Sequence, residues 1–364
     1  MPTGPPAVDR TEGTRNGRRT AAAYARSMTA TTGGTALRTT DRTIDWADGM
    51  IVAIDQCALP QDYRLLRMQT VDELIDAIVR LAVRGAPALG AAGALGVALL
   101  ARQYPGDSET VRIQAERLAA ARPTAINLRW GVQRALALLG DGPQAVLGEA
   151  LAVLDEDERV NREASLRAAE LIRSLCARRP LRLLTHCNAG RLATVAWGTA
   201  LGVVWHLAAD GDVEYVLADE TRPLLQGARL TAYELAEAGV PYRILPDAAA
   251  ATAMSLGLVD CVVVGADRIT RCGDVANKIG TYPLALAAAR HDVPFVVVAP
   301  ESTVDNALIH GRDIVIEQRD AAEVTTFGGV AIAPDGARAF NPAFDVTPAD
   351  LVTAIVTQDR VWRP

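Results

Sequence analysis

Lysine is nearly missing from this chain. Lysine and arginine together number 37, yet Lys278 is the only lysine. A composition so biased toward arginine places it wherever any cation serves. A surviving lysine therefore marks a position that needs a compact ammonium on a slim stem. Cysteine pairs are missing too. The five cysteines (Cys57, Cys176, Cys187, Cys261, Cys272) are odd in number, scattered and without C-x-x-C spacing. This argues against a disulfide framework and a zinc site, and fits the cytoplasm. No apolar run is long enough to span a bilayer without charges or prolines, so no membrane is expected. The net charge is −6 and no basic stripe is interleaved with the aromatics, so nucleic acid is not an expected partner. Cofactor signatures are also wanting: no strand runs into G-x-G-x-x-G, and neither G-x-x-x-x-G-K-[ST] nor H-E-x-x-H occurs. The four histidines (His186, His206, His291, His310) lack metal-ligand spacing.

What is present bounds the fold. At 364 residues, half of them hydrophobic, the chain can bury more than one core, and two domains are expected. Residues 1–38 carry Thr, Gly, Pro, Ala and six arginines without apolar periodicity and read as a disordered tail. The tail is a transit peptide, or the product of a start site placed upstream of a true initiator at Met28. A small β and helical domain is expected over 39–179. Two alternating runs around Ala47-Asp48-Gly49 make a hairpin, Tyr63–Gln69 a third strand, and Val71–Val83 an amphipathic helix. Arg84-Gly85-Ala86-Pro87-Ala88-Leu89-Gly90 opens the small-residue helix Ala91–Arg102 and reads as an anion cradle with an arginine on its rim. Helices follow over Ser108–Ala121, Asn127–Leu139 and Pro143–Arg178, the last expected to be broken.

From residue 180 to 364 the pattern becomes that of an α/β Rossmann-like domain. Near-continuous apolar runs at Leu181–Leu184, Glu214–Leu217, Tyr242–Leu245, Cys261–Val264 and Phe295–Ala299 alternate with helices. Such runs form a parallel sheet with helices on both faces, whose ligand crevice lies beyond the carboxyl ends of the strands. Cys187, Asp219, Glu220, Asp247 and Asp267 all fall at strand ends and are expected to face one crevice. Thr185-His186-Cys187-Asn188 ends its strand and is expected to open a helix over Arg191–Gly202. A cysteine at a helix start is favoured as thiolate. The plainer alternative is a small core cysteine, against which the polar His and Asn neighbours count.

Lys278 sits in Asp274-Val275-Ala276-Asn277-Lys278-Ile279-Gly280-Thr281, where an amide, an ammonium and a turn glycine lie together. That grouping suits hydroxyls or phosphate better than a Schiff base with pyridoxal phosphate. Asp267, at a buried strand end, has its carboxyl form favoured by desolvation, unless it serves only as a helix cap. A thiol, a carboxylic acid and several phosphate binders fit proton traffic on a small phosphorylated sugar, with no cofactor and no metal.

Seven stretches carry a resemblance. They are Arg84–Gly90, Arg122–Leu128, Thr185–Gly190, Asp219–Leu235, Gly265–Ile269, Gly273–Thr281 and Asn341–Pro348. In these the chain, from about Leu37 to Val361, resembles the methylthioribose-1-phosphate isomerases. That superfamily is shared with ribose-1,5-bisphosphate isomerase and the regulatory subunits of translation initiation factor 2B. The resemblance implies conversion of 5-methylthio-α-D-ribose 1-phosphate to 5-methylthio-D-ribulose 1-phosphate in methionine salvage. It implies Cys187 and Asp267 as the catalytic pair, with Asp267 the proton donor. Arg84, Gly85, Ala86, Arg122, Gln226, Asn277 and Lys278 would bind the substrate. It further implies a homodimer formed through the second domain. Two mechanisms stay open: a Cys187 thiolate takes the C2 proton, or hydride moves from C2 to C1 while Asp267 handles the oxygen protons. The alternatives are ribose-1,5-bisphosphate or 5-deoxyribose-1-phosphate isomerase, or a non-catalytic regulatory subunit. Two departures stand out: Cys272 replaces the usual Asn before Gly-Asp, and Pro246–Met254 is alanine-rich.

Overall fold

The structure is a computed structural model and describes residues 42–122 and 125–364. The expected tail, residues 1–38, lies outside the described residues. The first elements are β1 (Ile44–Ala47), β2 (Met50–Ile54) and β3 (Leu65–Met68), an antiparallel sheet in the order β1-β2-β3. The Asp48-Gly49 turn has positive φ at both residues, the conformation a two-residue hairpin loop needs. Helix α1 (Val71–Val79) starts in a capping box, Thr70 accepting from the Glu73 amide while Glu73 reaches back to the Thr70 amide.

Helix α2 (Ala86–Gln103) is the axis of this half and is buried on nearly every face. Around it pack α3 (Ser108–Ala119), α4 (Ile126–Leu136) and the first part of α5 (Pro143–Leu175). Small residues bring α2 and α4 into backbone contact: a Cβ on Gly131 would lie 1.9 Å from the Gly90 carbonyl oxygen. Helix α5 runs 33 residues without interruption, contrary to the break expected from its length. Tertiary packing explains the continuity. Its first half (Val146, Ala150, Val153, Leu154) joins the core around α2, and its second half (Ala164, Ala168, Ala169, Ile172) joins the core under the large sheet. One helix spans two cores, and neither half is left to end in solvent.

The large sheet contains β4 (Leu181–Thr185), β5 (Val213–Asp219), β6 (Tyr242–Leu245), β7 (Cys261–Val264), β10 (Phe295–Val298), β15 (Ala354–Val356) and β16 (Val361–Trp362). Its order is β16-β15-β10-β7-β4-β5-β6, parallel throughout except for β16. All five apolar runs expected as strands are in it. Helices α5 and α6 (Ala200–Ala209) pack one face, and α8 (Ala250–Ser255) and α9 (Thr281–Arg290) the other. α7 (Ala232–Glu237) follows a π-helical turn at Gly227–Thr231. A second sheet, β11-β8-β9-β14, is built from β8 (Arg268–Thr270), β9 (Val275–Lys278), β11 (Val304–Asp305) and β14 (Phe344–Thr347). A hairpin, β12 (Thr326–Phe327) and β13 (Val330–Ala331), lies between β11 and β14 in the chain.

The stretch after β4 corrects an expectation. No helix opens at Arg191. A single 3-10 turn spans Arg191–Ala193, and α6 begins only at Ala200. Gly198 adopts φ +90 and bridges Gly190, while the Val195 amide is drawn off to Asp157 of α5 at 2.7 Å. This looped segment carries the first half of the molecule: Thr43 bonds the Thr194 and Val195 carbonyls, and Gln56 Nε2 donates to the Leu192 carbonyl at 2.7 Å. No helix among the described residues is long and apolar enough to cross a membrane.

Candidate active site

Strands β4 and β7 are neighbours in the large sheet, so the loops leaving their carboxyl ends emerge side by side. The first carries Cys187 and the second Asp267. The two approach so closely that a Cβ on Gly265 would sit 2.8 Å from the Ala189 Cβ. Facing them across a cavity of about 740 Å3, open mouth included, is the start of α2. Arg84, Gly85, Ala86, Arg122, Cys187, Gln226, Asp267, Asn277 and Lys278 all line this one cavity. So do His186, Asn188, Arg319 and Phe344, for which sequence reasoning assigned no role.

Gly85 is the N-cap of α2, with φ +96, and offers no side-chain cap to the first turn. A Cβ there would lie 2.2 Å from the Ala193 carbonyl oxygen, so only glycine fits. The helix start thus keeps backbone amides without a side-chain partner beside the cavity, with the helix dipole behind them. Arg84 is buried, and every nitrogen is engaged. Nε donates to Gln56 Oε1 at 3.0 Å, both Nη atoms donate to the Asn188 carbonyl at 3.3 Å, and Nη2 also donates to Asn188 Oδ1. Asn188 is held in turn by Glu234 Oε1 at 2.8 Å, and the same carboxylate accepts the Arg191 amide at 2.9 Å.

Cys187 has φ +62, an unusual value for a residue with a side chain. Two threonines hold it there: its amide donates to Thr221 Oγ1 at 2.9 Å, and Thr231 Oγ1 donates to its carbonyl at 2.6 Å. Burial pushes the thiol above its ordinary range, against the pull of Arg84 and Lys278, and the Asp267 charge pushes the same way. The thiolate expected from a helix start is therefore corrected. That helix does not form, and desolvation outweighs the cations. Burial likewise raises Asp267 above the ordinary carboxylate range, opposed by Lys278, Arg122 and Arg84.

Lys278 is pushed down by burial, with Cys187 and Asp267 acting against that shift. Its Nζ donates to the Ala343 carbonyl at 2.9 Å and lies 4.7 Å over the Phe344 ring. Asn277 Nδ2 donates to Thr281 Oγ1 at 3.0 Å. Arg122 Nη2 pairs with Glu317 at 3.1 Å, and Arg319 pairs with the same carboxylate at 2.9 Å. Two buried atoms on this lining have no partner among the described residues: Arg122 Nε and Gln226 Oε1. Such orphans await a ligand's acceptor and donor.

Asp219, Glu220 and Asp247 do not line the cavity, which corrects the expectation of a single crevice for all five strand-end groups. Asp247 is spent on the Thr221 and Arg222 amides, each at 2.7 Å. Asp219 Oδ2 lies 2.8 Å from His186 Nδ1, and His186 Nε2 lies 2.8 Å from the Ile279 carbonyl. A carbonyl only accepts, so Nε2 carries hydrogen and the Nδ1–Oδ2 contact holds a further proton. Burial alone would lower the His186 pKa, but the Asp219 hydrogen bond and charge raise it. The imidazole thereby ties the tip of β4 to β5 and to the segment after Lys278. A polar His before Cys187 was the only sequence signal for this tie, and its partners are 33 and 93 residues away.

Chemically, four cations and a helix start surround a thiol and a carboxyl whose pKa values burial raises, an arrangement suited to a dianionic phosphate ester beside groups that exchange protons. Proteins of known sequence and structure agree. A probable bifunctional methylthioribose-1-phosphate isomerase/methylthioribulose-1-phosphate dehydratase of Nocardia farcinica is 60% identical over 325 residues, 88% of this chain. The alignment spans 59% of the length of that relative. A 5-deoxyribose 1-phosphate isomerase of Moorella thermoacetica is 50% identical, with 88% of this chain and 94% of that protein covered. The crystal structure of 5-methylthioribose 1-phosphate isomerase from Pyrococcus horikoshii superposes with a TM-score of 0.80 at 41% identity, covering 90% of this chain and 93% of that one. With residues 82–364 matched by its model, from the helix-start cradle to the last strand, the chain belongs to the Initiation factor 2 subunit family.

Proposed function

We infer that this chain is a sugar-phosphate isomerase of methionine salvage, converting 5-methylthio-α-D-ribose 1-phosphate to 5-methylthio-D-ribulose 1-phosphate. One observation carries the reading: a half-buried thiol and a half-buried carboxyl share a cavity with Arg84, Arg122, Lys278 and a helix start without a side-chain cap. We assign Cys187 and Asp267 as the catalytic pair and Arg84, Gly85, Ala86, Arg122, Gln226, Asn277 and Lys278 to substrate binding.

The anomeric phosphate blocks simple opening to a free aldehyde. Because burial raises both the Cys187 thiol and the Asp267 carboxyl above their ordinary ranges, we favour the hydride route. Asp267 gives its proton to the ring oxygen as the C1–O4 bond breaks, and O4 keeps the electron pair. Hydride moves from C2 to C1, and the C2 hydroxyl proton leaves to the carboxylate just formed. The electron pair never leaves the sugar, so no cofactor is required. The alternative, removal of the C2 proton, needs a Cys187 thiolate that desolvation disfavours. A substrate deuterated at C2 should keep its label at C1 of the product, and washout into water would overturn the hydride route.

A smaller recess shares Ala86, Arg122, Asp267 and Phe344 with the cavity lining and is otherwise walled by Leu89, Ala125, Arg268, Ala276, Ile314 and Val315. Its mostly apolar wall suits a methylthio or a methyl group at C5, which favours 5-deoxyribose 1-phosphate as a second substrate. The test is turnover of both sugars beside ribose 1,5-bisphosphate, by wild type and by Cys187→Ser and Asp267→Asn. A preference for the bisphosphate, a fully active variant, or no turnover at all sinks the assignment. The last result leaves the non-catalytic regulatory subunit. We further propose a cytoplasmic homodimer, against which light scattering showing only monomer at micromolar concentration would count.

A further inference from the structure

We propose that Cys272, Asp274 and His310 form a binding site for a soft divalent cation of the zinc class, separate from the cavity above. The turn Arg271–Asp274 joins β8 to β9, and residues 308–311 run beside it. The Arg271 amide donates to the Leu308 carbonyl at 2.9 Å and the Cys272 amide to the Ile309 carbonyl at 3.3 Å. Cys272 Sγ lies 3.4 Å from Asp274 Oδ2 and 3.9 Å from His310 Nδ1. All three ligand atoms fall within 4.8 Å of one another. Tetrahedral zinc spaces sulfur, nitrogen and oxygen ligands by roughly 3.3–3.6 Å. The sulfur–oxygen contact already has that spacing, and the exposed His310 ring is the ligand that has to move closer.

The carboxylate is already fixed. Asp274 accepts the Gly311 amide at 2.7 Å and the Ala349 amide at 3.0 Å, each on a different oxygen. Each oxygen retains a second lone pair, and Oδ2 can turn one toward the metal. Thr270 Oγ1 lies 3.4 Å from Cys272 Sγ, within reach to give a metal-bound thiolate an outer hydrogen bond. Thiolate, imidazole and carboxylate select zinc or cobalt over magnesium and calcium, and three protein ligands leave a fourth position for water. None of the three residues lines the cavity of Cys187 and Asp267. The ligands come from two segments 36 residues apart, so no sequence spacing announces them.

The test uses the full chain freed of metal by chelator, with Co2+ as the probe. A thiolate-to-cobalt charge-transfer band in the near ultraviolet should saturate at one equivalent and disappear on adding Zn2+. Cys272→Ser should abolish the band. His310→Ala should weaken Co2+ binding by roughly tenfold or more, since even outer-shell partners are worth that much. Cys57→Ser, which removes the one exposed thiol, should leave the band intact. Metal-free melting curves superposing on wild type show that the variants fold. If Cys272→Ser does not fold, the exposed His310→Ala decides. No band in wild type, a band that survives Cys272→Ser, or affinity unchanged in His310→Ala overturns the site.

Discussion

Cys187 and Asp267 owe their behaviour to the same cause. Each is half-buried on the cavity wall, and the surrounding cations offset the desolvation only in part, so both pKa values are raised. An acid donates only while protonated. With Asp267 raised, kcat/KM should stay level at lower pH and fall as pH climbs through that raised value. A Cys187 thiolate acting as base would give the opposite slope, with the rate rising toward alkaline pH. Measured pH–rate profiles separate the two. Asp267→Asn should lose the descending limb and lower kcat by about 10²–10⁴-fold, the range expected for loss of a general acid. The four residues Cys187, Thr221, Thr231 and Asn188 show how local strain is held. Thr221 itself has φ +66, and its hydroxyl also donates to the Asp219 carbonyl at 3.0 Å. Two left-handed residues brace each other at the strand tips, where such conformations accompany function.

Among the elements, α5 ties the two halves together, and one of its polar side chains bonds across them. Asp157 is buried, accepts the Val195 amide at 2.7 Å, and is raised by burial from 3.8 to about 7. A folded value above the unfolded one means the native state keeps a proton that the unfolded chain has released. Stability from this group is full below about pH 4, declines as pH rises to about 7, and stays low above. The decline is at most about 4 kcal/mol. Asp157→Asn keeps an acceptor for Val195 and cannot ionise. It should therefore exceed wild type in stability at pH 8 and show a shallower loss between pH 5 and 8 in denaturant melts. A variant weaker than wild type at both pH values would show that the hydrogen bond needs the carboxylate.

On the scale of the molecule, the cavity is shared property: α2 and Arg122 come from the first half, while Cys187, Asp267 and Lys278 come from the second. Glu317 crosses the gap to Arg122 and also raises Asp267 by its charge. Glu317→Gln should move the descending limb of the pH–rate profile to lower pH. It should also strengthen phosphate binding by freeing Arg122, read as a lower KM. A limb that stays in place would mean that this carboxylate does not reach the catalytic acid.

The hairpin at Asp48-Gly49, the five apolar strands and the glycine-proline helix start were legible because each rests on local chemistry: turn residues, apolar runs, a helix terminus. The nine residues singled out through the family resemblance and the solitary lysine line one cavity, and their roles are the proposal made above. Ordering along the chain also told that Cys187 and Asp267 sit at strand ends. What stayed hidden depended on partners distant in sequence. The sheet β11-β8-β9-β14 is made of short strands whose neighbours come from elsewhere in the chain, and α5 is continuous only because two cores claim it. Sequence by itself determined which chemical groups the protein owns and which strand ends display them. Tertiary structure alone decided which way their pKa values move, because desolvation is a sum over atoms that folding gathers from every part of the chain.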